Sequence, residues 1–202
     1  MRHAKLCRWN VSGALVVLAS LLAWPAVGVA QTVVGNGTAV QATVLGLLGG
    51  TATVLAGTGA LGGTNDAQDV SQVTGNVPSL LTAEALAATT IGWPDQVISH
   101  ASLANLGLTL GVATISADTV LATATALLGA TGSGNAFIGN LSINGVPVAV
   151  TGEPNQTISI PGGQLVINEQ AVSPASTTVN ALHATVSGVA DVVVGSAVAG
   201  IQ

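Results

Sequence analysis

Leu141-Ser142-Ile143-Asn144-Gly145-Val146-Pro147-Val148-Ala149-Val150 is the stretch on which the fold turns. Leu141 and Ile143 alternate with polar neighbours, and Val146, Val148 and Val150 do the same on the far side of Asn144-Gly145. An Asn-Gly pair between alternating apolar runs signals a two-residue hairpin. The type I′ turn needs positive φ at both central positions, and asparagine and glycine reach that region most cheaply. The same grammar continues toward the C-terminus. Gly152-Glu153-Pro154-Asn155 is the next turn, and Ile158 and Ile160 lead to Pro161-Gly162-Gly163. Leu165 and Ile167 then return. Leu182, Ala184 and Val186 share one face of a further strand, with His183 and Thr185 on the other, and Ser187-Gly188 turns into Ala190, Val192 and Val194. The expectation is an antiparallel meander.

Toward the N-terminus the pattern is less regular. Residues 32–61 read as Thr/Val/Leu strands broken by glycines, and residues 62–75 as a polar loop. Residues 80–90 contain good helix formers around Glu84, yet Leu81-Thr-Ala-Glu84-Ala-Leu-Ala-Ala-Thr resembles Ile115-Ser-Ala-Asp118-Thr-Val-Leu-Ala-Thr. The second copy is rich in β-prone threonine and valine, so both are read as equivalent strands. The whole predicts an all-β antiparallel sandwich of short strands. A β-roll or solenoid-like form is the alternative that the 34-residue spacing of the two copies suggests.

Charge divides the chain. Arg2, Lys5 and Arg8 are its only lysine or arginine residues, and they precede the apolar run Val11–Ala23. Trp24-Pro25 breaks that run, and Gly28-Val29-Ala30 places small residues where a secretory cleavage site needs them. Residues 1–30 are therefore expected to be a signal peptide cut between Ala30 and Gln31, leaving residues 31–202 as one exported domain. The alternative is an uncleaved anchor, since residues 11–30 are just long enough to span a bilayer. Cys7 precedes the apolar run and so is not a lipid-attachment cysteine. Cleavage takes the formal charge from −5 to −8 and removes the one cysteine, so the exported domain folds without disulfides. Without lysine or arginine it has no means of clamping phosphates or neutralising nucleic acid or anionic lipid. Its uncharged windows, 31–65 and 119–152, are cut by glycine and threonine. With only Trp93 and Phe137 as aromatics, the domain lacks the girdles of an outer-membrane barrel.

Several segments have a familiar look in combination. Ser102-Leu-Ala-Asn-Leu106 with Ile115-Ser-Ala-Asp-Thr-Val120 is one block, and Asn144-Gly-Val-Pro-Val148 is a second. Leu165-Val-Ile-Asn-Glu-Gln170, Val179-Asn-Ala-Leu-His183 and Val192-Val-Val-Gly-Ser-Ala197 complete the set. In this order they resemble the choice-of-anchor P family of exported bacterial surface proteins, over most of residues 42–201. The resemblance implies secretion, retention at the cell envelope by differing C-terminal devices, and no assigned activity. This chain closes at Ile201-Gln202 without such a device, which gives weight to free secretion or matrix association.

Asn168, Glu169, Asn180 and His183 are the candidate ligand-binding residues, because adjacent strands can bring a carboxylate to orient an imidazole. The competing reading is a hydrogen-bonded corner that satisfies strand ends. One histidine and one glutamate are too few for a tetrahedral zinc site, and His100 would add a ligand only if it lay nearby. Asn65, Asp66, Gln68 and Asp69 offer oxygen ligands of the kind calcium takes, but without EF-hand spacing, so a solvated loop is expected. Glu84, Asp118 and Asp191 follow alanines in apolar stretches. As glycosidase carboxylates they would lack aromatic sugar platforms, so they are read as solvent-face or edge charges. There is no Gly-x-Ser-x-Gly elbow and no phosphate loop, and three N-x-[S/T] sequons at Asn36, Asn140 and Asn155 are read as uninformative. Neither a catalytic residue nor a cofactor or metal is assigned. The expected function is that of a non-enzymatic structural or adhesive domain of the envelope or matrix, whose partner is a protein or polymer there. The alternative is a secreted ligand- or metal-binding domain, or a hydrolase, working through Glu169 and His183.

Overall fold

The computed structural model describes residues 31–46 and 49–202, and Gln31–Gln202 forms one compact unit. The signal-peptide segment and its cleavage residue Ala30 lie outside the described residues. Among the described residues, thirteen strands make two antiparallel sheets packed face to face, a β-sandwich. The first sheet contains β1 (Val33–Gly46), β2 (Gly49–Gly57), β10 (Gln156–Ile160), β11 (Gly163–Val172), β12 (Thr177–Val186) and β13 (Ala190–Ile201), in the order β10-β11-β12-β13-β1-β2. The second contains β3 (Ala67–Val77), β4 (Leu81–Gly92), β5 (Gln96–Leu110), β6 (Ala113–Leu127), β8 (Ser142–Ile143) and β9 (Val146–Pro147), in chain order, with β7 (Ser133–Gly139) paired to β6. The meander expected after Gly152 is β10 to β13. The two look-alike segments are β4 and β6, which flank β5.

The hairpin at Asn144-Gly145 has φ of 51° and 76° at its two central residues, as a type I′ turn requires. Its strands are much shorter than the alternation suggests. Ile143 pairs with Val146 and Ser142 with Pro147, and regular pairing ends there. Val148 N–H still donates to the Leu141 carbonyl at 2.8 Å, and Val148 and Val150 then pack against the core from irregular backbone. Residues 67–77, expected to lie mostly in a loop, form β3 instead. The polar run hides a strand because its outer face is exposed along its whole length and its partner, β4, supplies the pairing.

The core is aliphatic throughout. Leu86, Leu103, Leu108, Ile115, Leu165, Ile167 and Leu182 are fully buried, and much of the remaining interior is alanine and valine. Trp93 and Phe137, the only aromatics among the described residues, are 38% and 57% exposed, so neither contributes to this interior. A buried polar contact pins the sheets together. The buried Thr90 and Ser99 hydroxyls lie 2.7 Å apart, and Ser99 donates onward to the Val198 carbonyl of the opposite sheet at 2.6 Å. With the Ser99 proton committed, Thr90 must be the donor of the pair.

Each sheet is crossed by a row that contains left-handed residues, on alternate strands in the first sheet. In the first sheet the row runs Ala56, Ala39, Gly195, Ala181, Asn168, with φ of 46°, 66° and 51° at Ala56, Gly195 and Asn168. In the second it passes through Ala85, Asn105 and Asn140, with φ of 48°, 49° and 53°. At each row the strands change the parity of the residues they bury. In β5 the odd residues from Val97 to Leu103 face inward, then the even ones from Leu106 to Leu110. In β12 the inward set passes from Val179 and Ala181 to Leu182, Ala184 and Val186. In β5 the left-handed Asn105 stands at the change, whereas β12 makes it at Ala181, between the left-handed Gly195 and Asn168 of its two neighbours. This displacement positions the polar cluster described next.

Candidate functional site

β11, β12 and β13 present their polar residues on the outer face of the first sheet. His183 pairs with Val166 on one side and Val193 on the other, so no carboxylate stands directly opposite it. Glu169 and Asp191 reach it diagonally. Glu169 lies across the left-handed row, opposite Asn180, and Asp191 lies opposite Thr185. His183 Nδ1 is 2.9 Å from Glu169 Oε2, and Nε2 is 3.0 Å from Asp191 Oδ1. Asn180 Nδ2 donates to the same Glu169 oxygen at 2.7 Å.

A neutral imidazole carries one N–H and can satisfy one of two flanking carboxylates, whereas the imidazolium satisfies both. The clamp therefore favours the charged ring. Burial opposes that charge, but the Glu169 hydrogen bond and charge, then those of Asp191, outweigh it and raise the His183 pKa above 6.5. Burial likewise pushes Glu169 upward, and the donors Asn180 and His183 more than reverse this, leaving it below 4.5.

Three of the four candidate residues thus converge, and the fourth does not. Asn168 is buried, and its left-handed backbone sends the side chain elsewhere. Its Nδ2 donates to the Gly152 carbonyl at 2.9 Å, and its Oδ1 accepts from Gln170 Nε2 at 2.9 Å. Gln170 also donates to the Gly134 carbonyl on β7 at 3.1 Å, so this corner ties the two sheets together. Asp191 completes the cluster in its place. The sequence signal for it is that β12 and β13 are joined by the tight Ser187-Gly188 turn, which brings Asp191 eight residues beyond His183 onto the neighbouring strand. His100 lies in the other sheet, exposed, 3.0 Å from Thr123 Oγ1.

Three of the remaining acids, Glu84, Asp118 and Asp66, share one arrangement. With no lysine or arginine to meet them, they are held by amide donors. Asn105 Nδ2 donates to Glu84 at 2.7 Å, and Asn140 Nδ2 to Asp118 at 2.6 Å, both on the left-handed row of the second sheet. Asp66 accepts from the backbone N–H of Gly62 at 2.7 Å and of Ala67 at 2.9 Å, and from Gln68. The Gly62 bond is the main cause of its lowered pKa, followed by Gln68. Asp69, by contrast, sits within β3, with Thr89 Oγ1 at 3.4 Å. Among the described residues, no group of three or more His, Cys, Asp or Glu side chains is placed to hold a metal ion. A groove of about 730 Å³ at one end of the sandwich is lined by Leu128–Thr131, Val172–Pro174, Ile201 and Gln202, and contains none of the candidate residues. No described helix is long and apolar enough to cross a membrane. Comparison with family models, with curated proteins and with solved structures gave no match.

Proposed function

We propose that this chain is an exported, non-enzymatic structural or adhesive domain of the bacterial cell envelope or extracellular matrix. The observation that carries the reading is the internal pairing of its most chemically capable cluster. Both nitrogens of His183 are bound by carboxylates of its own sheet, and the Asn180 amide is spent on Glu169. A histidine held this way braces three strands, and a ligand would have to displace a charge-assisted bond to reach it. The amide-held acids on both sheets have the same character. They make an acidic surface without lysine or arginine that resists trypsin-like cleavage and repels anionic polymers.

Export is supported by the basic, apolar and small-residue order of residues 1–30, and by the compact unit beginning at Gln31, where cleavage is proposed. At that boundary Thr32 exchanges two backbone hydrogen bonds with Gln202, at 2.9 and 3.0 Å. The resemblance to choice-of-anchor P proteins supports the same reading. Fractionation of cells expressing the full sequence, with mass spectrometry of the product, tests it. Recovery from the envelope or medium with Gln31 at the N-terminus is expected, and retention in the cytoplasm with Met1–Ala30 attached overturns it.

A further inference from the structure

A strand at a sheet edge offers a row of N–H and C=O groups to any strand that approaches, and proteins blunt such edges with charge, proline, short length or bulges. Three of the edges here are blunted in these ways. β3 carries Asp69, β9 is two residues long and ends in Pro147, and β10 is five residues long, with its Gln156 side chain reaching back to Ala149. β2 has no such guard. It pairs with β1 on one side, and among the described residues no strand lies along its other side. Its Thr51-Ala52-Thr53-Val54-Leu55 segment contains neither charge nor proline and is rich in β-branched residues, with Val54 56% exposed. The left-handed Ala56 stands just beyond this segment, not within it.

Charge selects the occupant. The unpaired backbone of β2 calls for another β-strand. β1 and β2 carry no acid, and Asp191, opposite Thr43, lies two strands in from the edge. Over a chain with eight acids and, past residue 8, no lysine or arginine, this is a neutral zone where two copies meet without opposing carboxylates. Antiparallel pairing about a two-fold axis lays the segment against itself, so the surface is self-complementary. We propose that a second copy of this chain docks along the Thr51–Leu55 edge of β2, joining the two six-stranded sheets into one. This goes beyond the envelope reading and does not depend on export.

Sedimentation velocity on protein expressed from the full sequence tests it. A monomer–dimer shift with rising concentration is expected, together with slowed amide exchange at Thr51–Leu55. Val54→Lys puts a charge on the edge at an exposed position and should abolish the shift. Ala52→Lys should do the same if the first variant unfolds. Phe137→Lys, on the other sheet, should leave the shift intact. A wild type that stays monomeric overturns the proposal, as does a folded edge variant that still dimerises, or loss of the dimer in the Phe137 variant alone.

Discussion

His183 Nδ1 and Glu169 Oε2 are 2.9 Å apart although the two residues are not cross-strand partners. The diagonal reach exists because Asn168 turns left-handed between Ile167 and Glu169 and so sets Glu169 on the outer face. A backbone irregularity in one strand therefore favours the charged form of a ring on the next. The raised His183 pKa gives stability that is complete below its unfolded value of 6.5 and is lost as pH climbs through the folded value. The lowered Glu169 pKa gives stability that is complete above 4.5 and is lost as pH falls through its folded value. The clamp is thus strongest between those two limits. His183→Ala should cost about 1 kcal/mol there, discounted for partial exposure, or about 2–4 °C in melting temperature. At alkaline pH the cost should shrink. Thermal melts of both proteins at pH 5.5 and pH 9 check this, and an equal difference at both would mean the ring merely packs.

The two carboxylates are not equivalent. The Glu169 side chain is 31% exposed and that of Asp191 is 52% exposed, so water screens the second pair more. An NMR titration of the His183 ring should show a larger fall in pKa for Glu169→Gln than for Asp191→Asn. The reverse order would place the main partner on β13.

Much of the fold was legible because period-two alternation and turn chemistry agree along the C-terminal half. Leu182, Ala184 and Val186 are all buried, and Asn144-Gly145 turns as its residues demand. What stayed hidden around the polar cluster shares one cause. The left-handed rows break the alternation, so a reading that continues one parity loses the strand or misplaces its neighbours. The break is visible in β5, where the apolar residues pass from Val97, Ala101 and Leu103 to Leu106, Leu108 and Leu110 with Asn105 between them. Asparagine at such a slip is the residue type that tolerates positive φ best after glycine. Asn168 looked like a ligand from its neighbours Glu169 and Gln170, but it is the slip itself. Asp191 was visible as an acid, and its partner was not, because diagonal contacts depend on that slip.

The rows also contain a mismatch between residue and conformation. Ala85 is exposed, with φ of 48°, a region that costs an L-residue roughly 1–2 kcal/mol. Ala85→Gly relieves that strain against a smaller loss of chain entropy, so the melting temperature should hold or rise slightly. Ala88→Gly, in the buried, extended part of the same strand, should lower it by about 1–2 kcal/mol equivalent. Gly195 is the converse case. An added Cβ there would stand 3.2 Å from Ala181 Cβ and 3.3 Å from Val120 Cγ1 of the facing sheet, at φ of 66°. Gly195→Ala should cost about 2 kcal/mol or more through strain and overpacking together. A neutral outcome for Gly195→Ala would mean the sheets can separate locally without loss.

An interior without aromatics makes the last expectation unusual. In most domains a phenylalanine is the costliest residue to truncate, because it buries the most surface. Here Phe137 lies on the outer face of β7, more than half exposed, whereas Leu103 is buried against the opposite sheet. Small alanine and valine neighbours bring the sheets close, and such a core collapses poorly around a missing isobutyl group. Leu103→Ala should therefore cost about 3 kcal/mol, within the range for leucine truncation in close-packed interiors. Phe137→Ala should stay within about 0.5 kcal/mol. Urea denaturation of the two variants beside the wild type measures both. A Phe137 cost approaching that of Leu103 would mean the ring is covered in solution, with a partner surface on the second sheet.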